Sequence, residues 1–189
     1  TGVYEGKIEP GFAFLHKVFP NVKKVAFLYS PTDKIEQQIV SLEKSAAEYG
    51  VELQKIVVQS LADLYTLSNH IDADAGALFI LKDHLLASGA STLKSIAEKR
   101  HIPFIASDEG SVVAGAAFAV GNSESDIGRI GAALVVDIIN GKKPKDIKMQ
   151  TASDFQVFYN AAAAQGQGID LVHLKSVANQ QGYRINQKG

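Results

Sequence analysis

The chain contains no cysteine. Disulfides, zinc-thiolate centres and thiol nucleophiles are therefore excluded, although compartment is not, because many exported proteins also lack the residue. Net charge is almost absent as well: 19 Lys and Arg face 20 Asp and Glu, a formal −1 at pH 7. Phosphate backbones are bound by clustered basic faces, and no Lys/Arg run here exceeds a pair, so nucleic acid is not an expected partner. No apolar run approaches the roughly 18 residues needed to span a bilayer. The single methionine is Met149 and the chain opens at Thr1. A processed or cut product is the expectation, so the lack of a leader carries no information.

Several chemical signatures are missing too. There is no G-x-G-x-x-G or Walker A loop to cradle phosphates, and no G-x-S-x-G elbow follows a strand. His16, His70, His84, His101 and His173 are scattered, without the i/i+4 pairing of a helical metal site. No metal and no cofactor is expected. His84 alone stands at a strand exit, where a solvated loop histidine is the ordinary reading.

What is present is a rhythm. With 189 residues and 46% hydrophobic content, the chain can close one sizeable core with a small appendage. The run 25–29 in "KKVAFLYSP" is rich in β-formers and stopped by Ser30-Pro31. After it Ile35, Ile39, Leu42, Ala46 and Tyr49 recur at helical steps, with Thr32 or Asp33 as cap and Gly50 as stop. The alternation continues with "VELQKIVVQ" as strand, 61–70 as helix, "AGALFIL" as strand, 85–100 as helix and "IPFIA" as strand. A short helix at 109–114 leads to "AAFAV". A last helix carries Ile127, Ile130, Leu134 and Ile138, capped by Asn122 or Ser123 and stopped by Gly141. Its Gly128 and Gly131 imply close approach to the sheet, and Arg129 a surface pair with Asp126.

Continuously apolar strands are covered on both faces, and strands alternating with helices join through right-handed crossovers. The fold class is a doubly wound parallel α/β sheet in three αβα layers. Ligands of such sheets bind beyond the carboxyl ends of the strands. Those exits are "YSPTD", "LKDHLL", "ASDEG" and "VGNSE", three of which carry an Asp. Asp83 and Asp108 have two readings, as helix N-caps or as ligand acceptors, and local sequence leaves both open. Paired carboxylates can run acid/base chemistry, but no nucleophile or oxyanion donor stands beside them, so binding needs fewer assumptions.

"NVKKVAFLYSPTDKIEQQIVSLEKSAAEYGVEL", "IPFIASDEGSVVAGAAFAVG", "DIGRIGAALVVDIINGKKPKDI" and "VFYNAAAAQGQGI" together resemble, in order and spacing, the second half of ABC-transporter substrate-binding proteins of the tryptophan/tyrosine-transport type. Thr1-Gly2-Val3 corresponds to the point where that family's chain first crosses between lobes. The resemblance covers residues 1 to about 170. It implies one lobe of the type I periplasmic-binding-protein fold, with a first lobe absent. Residues 1–7 would then be an inter-lobe crossing, 8–148 the ligand-binding lobe, and 149–189 crossing segments returning to the other lobe. Resemblance to lactose-repressor-type sensor domains places Lys82 or Asp83, and Asp108, in the cleft.

The site so implied comprises Tyr29, Ser30, Thr32, Lys82, Asp83, Ser107 and Asp108. The partners implied are a small polar ligand, the first lobe and a membrane permease, in a periplasmic or cell-surface lipoprotein. Family members commonly carry Asn where His84 stands and Asp-Tyr-Tyr where Ser123-Glu124-Ser125 stands. A sensory receptor domain and a flavodoxin-like enzyme are the alternatives from other classes.

Overall fold

The computed structural model describes residues 1–5, 8–32 and 35–189. Asp33, one of the two caps expected for the first helix of the rhythm, lies outside them, as do the last two residues of the expected 1–7 crossing. The chain opens with β1 (Val3–Tyr4), and α1 (Glu9–Val18) follows, a helix that the sequence reading did not anticipate. Pro10 stands in its first turn, where a missing N–H costs nothing, and Phe12, Phe14, Leu15 and Val18 are buried. Phe12 meets Phe79 edge-on at 6.2 Å, a contact worth about 0.5–1.5 kcal/mol beyond its area.

The expected alternation then runs through β2 (Lys24–Tyr29), α2 (Ile35–Glu48), β3 (Glu52–Val57), α3 (Asp63–Thr66), which a short 3₁₀ turn extends, and β4 (Ala77–Ile80). The helix expected over 85–100 is broken into α4 (His84–Ser88) and α5 (Ala90–Arg100). Gly89 sits at the break, where a Cβ would collide with the Leu64 side chain. Next come β5 (Phe104–Ala106), α6 (Glu109–Ala114), β6 (Phe118–Asn122) and α7 (Glu124–Ile139). The chain ends with β7 (Gln150–Thr151), β8 (Phe155–Tyr159), α8 (Ala161–Gly166), α9 (Leu171–Gln180) and β9 (Arg184–Gln187).

Seven strands form one sheet in the order β3-β2-β4-β5-β6-β8-β9. All neighbours are parallel except β6 and β8. Alternate side chains divide the core: Val25, Phe27, Ala77 and Phe79 pack with α1, α2 and α9, while Ala26, Leu28, Leu78 and Ile80 pack with α3 to α6. This is the expected three-layer αβα arrangement. Strand order reverses between β2 and β4, since β3 flanks β2 on one side and β4 on the other.

Two placements differ from the sequence reading. Residues 155–159, expected to pass towards another lobe, pair with β6 along their whole length, Phe118 opposite Tyr159 and Asn122 opposite Phe155. The stretch 149–189 therefore divides: β7 pairs only with β1, outside the main sheet, whereas β8, α9 and β9 complete it. Second, α7 does not press its glycines onto the sheet. A Cβ at Gly128 meets nothing within 4 Å, and one at Gly131 meets only Val3, at 3.9 Å. Of the expected stripe only Leu134 is buried, because the helix lies against β1 rather than against either core. The surface pair of Arg129 with Asp126 is present at 2.8 Å.

Candidate functional site

Three cavities adjoin one another at the carboxyl end of the sheet. The first, about 240 Å³, lies under the opening segment 1–5 and reaches Leu81, Lys82, Ser107, Asp108, Gly121, Asn122 and Phe155. The second, about 350 Å³, lies at the reversal of strand order and is lined by Tyr29, Ser30, Thr32, Lys82, Asp83 and His84, among others. A third, about 420 Å³, spans the exits of β4 and β5 between Asp83 and Asp108. All seven residues expected from the sequence line one or more of these spaces, and Lys82 lines all three.

The two aspartates are both caps. Asp83 precedes α4 in extended conformation and accepts from the Leu86 N–H at 3.0 Å through Oδ1. Its Oδ2 accepts from the Ser30 N–H at 3.2 Å and from the Ser30 hydroxyl. One carboxylate thus ties the exit of β2 to the exit of β4 across the reversal point. Burial works to raise the Asp83 carboxyl, but hydrogen bonds from the Ser30 hydroxyl, the Leu86 N–H and the Ser30 N–H outweigh it and hold the group below its ordinary value. Asp108 caps α6, accepting from the Ser111 N–H at 2.9 Å and the Ser111 hydroxyl at 2.7 Å. A carboxylate offers about four acceptor positions. Capping by two bonds leaves Asp108 able to accept more.

Lys82 is held from both sides. It donates to Glu5 at 2.9 Å and to Glu124 at 2.7 Å, joining the opening segment and the start of α7 to the exit of β4. Burial alone would lower the ammonium, but hydrogen bonds and charge from Glu124 and Glu5 prevail and raise it to about 12. It is therefore a committed cation. Tyr29 stacks on Phe27 at 5.4 Å and walls the second cavity, whereas Tyr4 and Phe155 supply the aromatic wall of the first.

Sequence reasoning passed over Asn122. It closes β6 and is 8% exposed, and neither its Nδ2 nor its Oδ1 has a hydrogen-bond partner. The cap position of α7 belongs to Ser123, which makes no side-chain cap bond. Gly121 beside it is required: a Cβ there would overlap the Ser107 carbonyl oxygen, so the exits of β5 and β6 meet backbone to backbone at the cavity floor. The signal was available, because "VGNSE" is one of the four strand exits. Local sequence offers either this asparagine or Ser123 as the cap, which hides the difference between them.

Among the described residues no group of His, Cys, Asp and Glu has the arrangement of a metal site, and no helix is long and apolar enough to cross a membrane. The chemistry on offer is hydrogen bonding, one shared cation, carboxylates and aromatic walls. That inventory suits holding a small polar molecule.

Comparison with known proteins agrees with this architecture. The profile of a family described as ABC transporter substrate binding protein matches residues 1–180. The "Uncharacterized protein RP367" of Rickettsia prowazekii (strain Madrid E) is 36% identical over 141 residues, covering 75% of this chain and 46% of that protein. The "Tyrosine-binding protein" of Clostridioides difficile (strain R20291) is 24% identical over 142 residues, covering 75% of this chain and 41% of that one. A crystal structure described as an ABC domain in complex with L-Trp, from Streptococcus pneumonia, superposes with a TM-score of 0.80 at 24% identity, over 93% of this chain and 61% of that one. At that identity the likeness speaks for the fold. The chain spans a little under half the length of the curated relatives it matches.

Proposed function

The chain belongs to the ABC transporter substrate binding protein family, and from that premise we propose that it is the solute-binding lobe of a two-lobed receptor serving an importer. The observation that carries this reading is the convergence of three cavities on Lys82 where strand order reverses, the position at which open α/β sheets take ligands. Each cavity is partly open to solvent. At about 240, 350 and 420 Å³ they lie near the lower end of the roughly 300–1,000 Å³ of small-molecule sites, a size that a second lobe closing over them would enlarge.

In this reading a second lobe closes over the carboxyl ends of β2, β4, β5 and β6. Residues 1–7, and β7 with the loop after it, are the crossings, for β1 and β7 pair with each other apart from the main sheet. Closure about such crossings reports occupancy. The ligand is a small polar molecule of amino-acid size, a class supported by relatives described as binding tyrosine or L-Trp. Ser30, Thr32 and Ser107 offer hydroxyls, Asp108 an acceptor, and Tyr29, Tyr4 and Phe155 apolar walls. Asp83 holds the rim by bonding Ser30, and Lys82 keeps the opening segment in place. Delivery would be to a membrane permease, by a protein that is periplasmic or carried on the cell surface by a lipid anchor.

Isothermal titration of this chain and of a longer protein carrying both lobes, against a panel of amino acids, tests the reading. The lobe alone binds no more tightly than about micromolar, equivalent to about 8.2 kcal/mol, while the two-lobed protein binds more tightly. Nanomolar binding by the lobe alone would overturn it.

A further inference from the structure

We infer that Asn122 reads the ligand, and that the group it reads is a neutral amide edge, an N–H and a C=O side by side. The inference rests on the binding function proposed above and deepens it. Among the buried polar side chains of the described residues, the other two carboxamides are satisfied. Gln156 donates to Asp126 at 3.0 Å and accepts from Asn186 at 2.6 Å. Gln167 accepts from the Phe104 N–H at 2.7 Å and donates to the Gly115 carbonyl at 3.3 Å. Asn122 is as deeply placed, at 8% exposure, and pairs at neither end. Leaving a buried donor and acceptor unmade is costly, so a group kept in that state at a cavity wall is one whose partner arrives from outside.

The surroundings select the partner's charge. Glu5, Glu124 and Asp108 line the same cavity, and its one lysine already serves two of them. A ligand carboxylate set against Asn122 would face surplus negative charge with no uncommitted cation among the described lining residues. An amide edge meets no such penalty and satisfies both atoms at once, the Oδ1 accepting its N–H and the Nδ2 donating to its C=O. A flip of the Asn122 carboxamide is met by the same flip in a primary-amide ligand, which restores both bonds.

The test uses the two-lobed protein that carries this lobe, with six probes in matched pairs: glutamine and glutamate, asparagine and aspartate, nicotinamide and nicotinate. Tryptophan and tyrosine serve as reference ligands. The amide member of at least one pair should bind about tenfold more tightly than its acid, the scale of one well-made hydrogen-bonding group. Asn122→Leu should bring that ratio close to one while leaving or raising the melting temperature without ligand, because an unpaired polar group is removed. Asn122→Thr, which suits a strand, should reduce the ratio in the same direction. If wild type binds tryptophan or tyrosine but prefers no amide, the Asn122 assignment falls and the binding function stands. If it binds none of the eight, both fall. A ratio unmoved by either substitution, or a lower ligand-free melting temperature in Asn122→Leu, also overturns the assignment.

Discussion

Asp83 offers a direct test of how the rim of the site is built. Replacing it with alanine removes the cap on the Leu86 N–H, a loss of about 1 kcal/mol. It also removes both bonds to Ser30, which couple β2 to β4. Hydrogen bonds to a charged acceptor are worth about 1.5–3 kcal/mol, but Asp83 is only half-buried and water can replace part of that, so about 1–1.5 kcal/mol is the appropriate share. Asp83→Ala should therefore cost about 2–2.5 kcal/mol in urea unfolding at pH 7. Asp83→Asn, which keeps one acceptor for the cap, should cost about 1 kcal/mol. Ser30→Ala should be less than additive with Asp83→Ala, with a coupling of about 1 kcal/mol. The acid limb supplies a second readout. A carboxyl depressed in the folded state contributes stability that is complete above its ordinary value of 3.8 and lost as pH falls through the depressed value. The gap between wild type and Asp83→Asn should thus be constant near neutrality and close below pH 3.8. A cost under about 0.5 kcal/mol for Asp83→Ala, or full additivity with Ser30→Ala, would refute the coupling of the two strand exits.

Gly121→Ala should destabilise by about 2 kcal/mol or more, because its Cβ must displace the Ser107 backbone; a thermal melt matching wild type would contradict the close approach. Gly128→Ala should instead stabilise by about 1 kcal/mol, since the helix interior there opens onto free space, and calorimetry reads the sign. Lys82→Met should cost at most about 1 kcal/mol at low salt, because its two pairs are partly exposed, and the cost should shrink in 1 M salt. A group raised in the folded state loses its contribution as pH climbs from its ordinary 10.5 through about 12, so the Lys82→Met difference should vanish over that window in an unfolding series.

The strand and helix alternation from Lys24 to Asn122 was legible because continuous apolar runs and helical spacing are local signals. The opening helix was not. Pro10-Gly11 looks like a turn, yet proline suits a first helical turn, and a Cβ placed on Gly11 would stand 3.7 Å from the carbonyl oxygen of Val120, a residue over a hundred positions away. The terminal α9 and β9 lacked a signature for a related reason: "RINQ" has no strand pattern of its own and is held by β8. At the site, the exit rule selected loops that line the three cavities, because it follows from topology. What each side chain does there depends on partners distant in sequence. Lys82 finds Glu5 and Glu124, 77 and 42 positions away, and Asp83 finds Ser30, 53 away. Asn122 is not distinguishable from a cap locally, because the capping rule fits it and Ser123 equally, whereas its place at the end of the strand ladder opposite Phe155 is set by a distant partner.

A small ligand is proposed to bind at the carboxyl ends of β2, β4, β5 and β6. The most direct test of this is an amide-resolved nuclear magnetic resonance titration of the isotopically labelled chain with tryptophan, tyrosine and glutamine at millimolar concentration. Shifts confined to residues 30–32, 82–86, 107–111 and 120–124 are expected for at least one of them. Shifts centred on α7 or on the lysine-rich turn at 142–148, or no shift with any of the three, would contradict it.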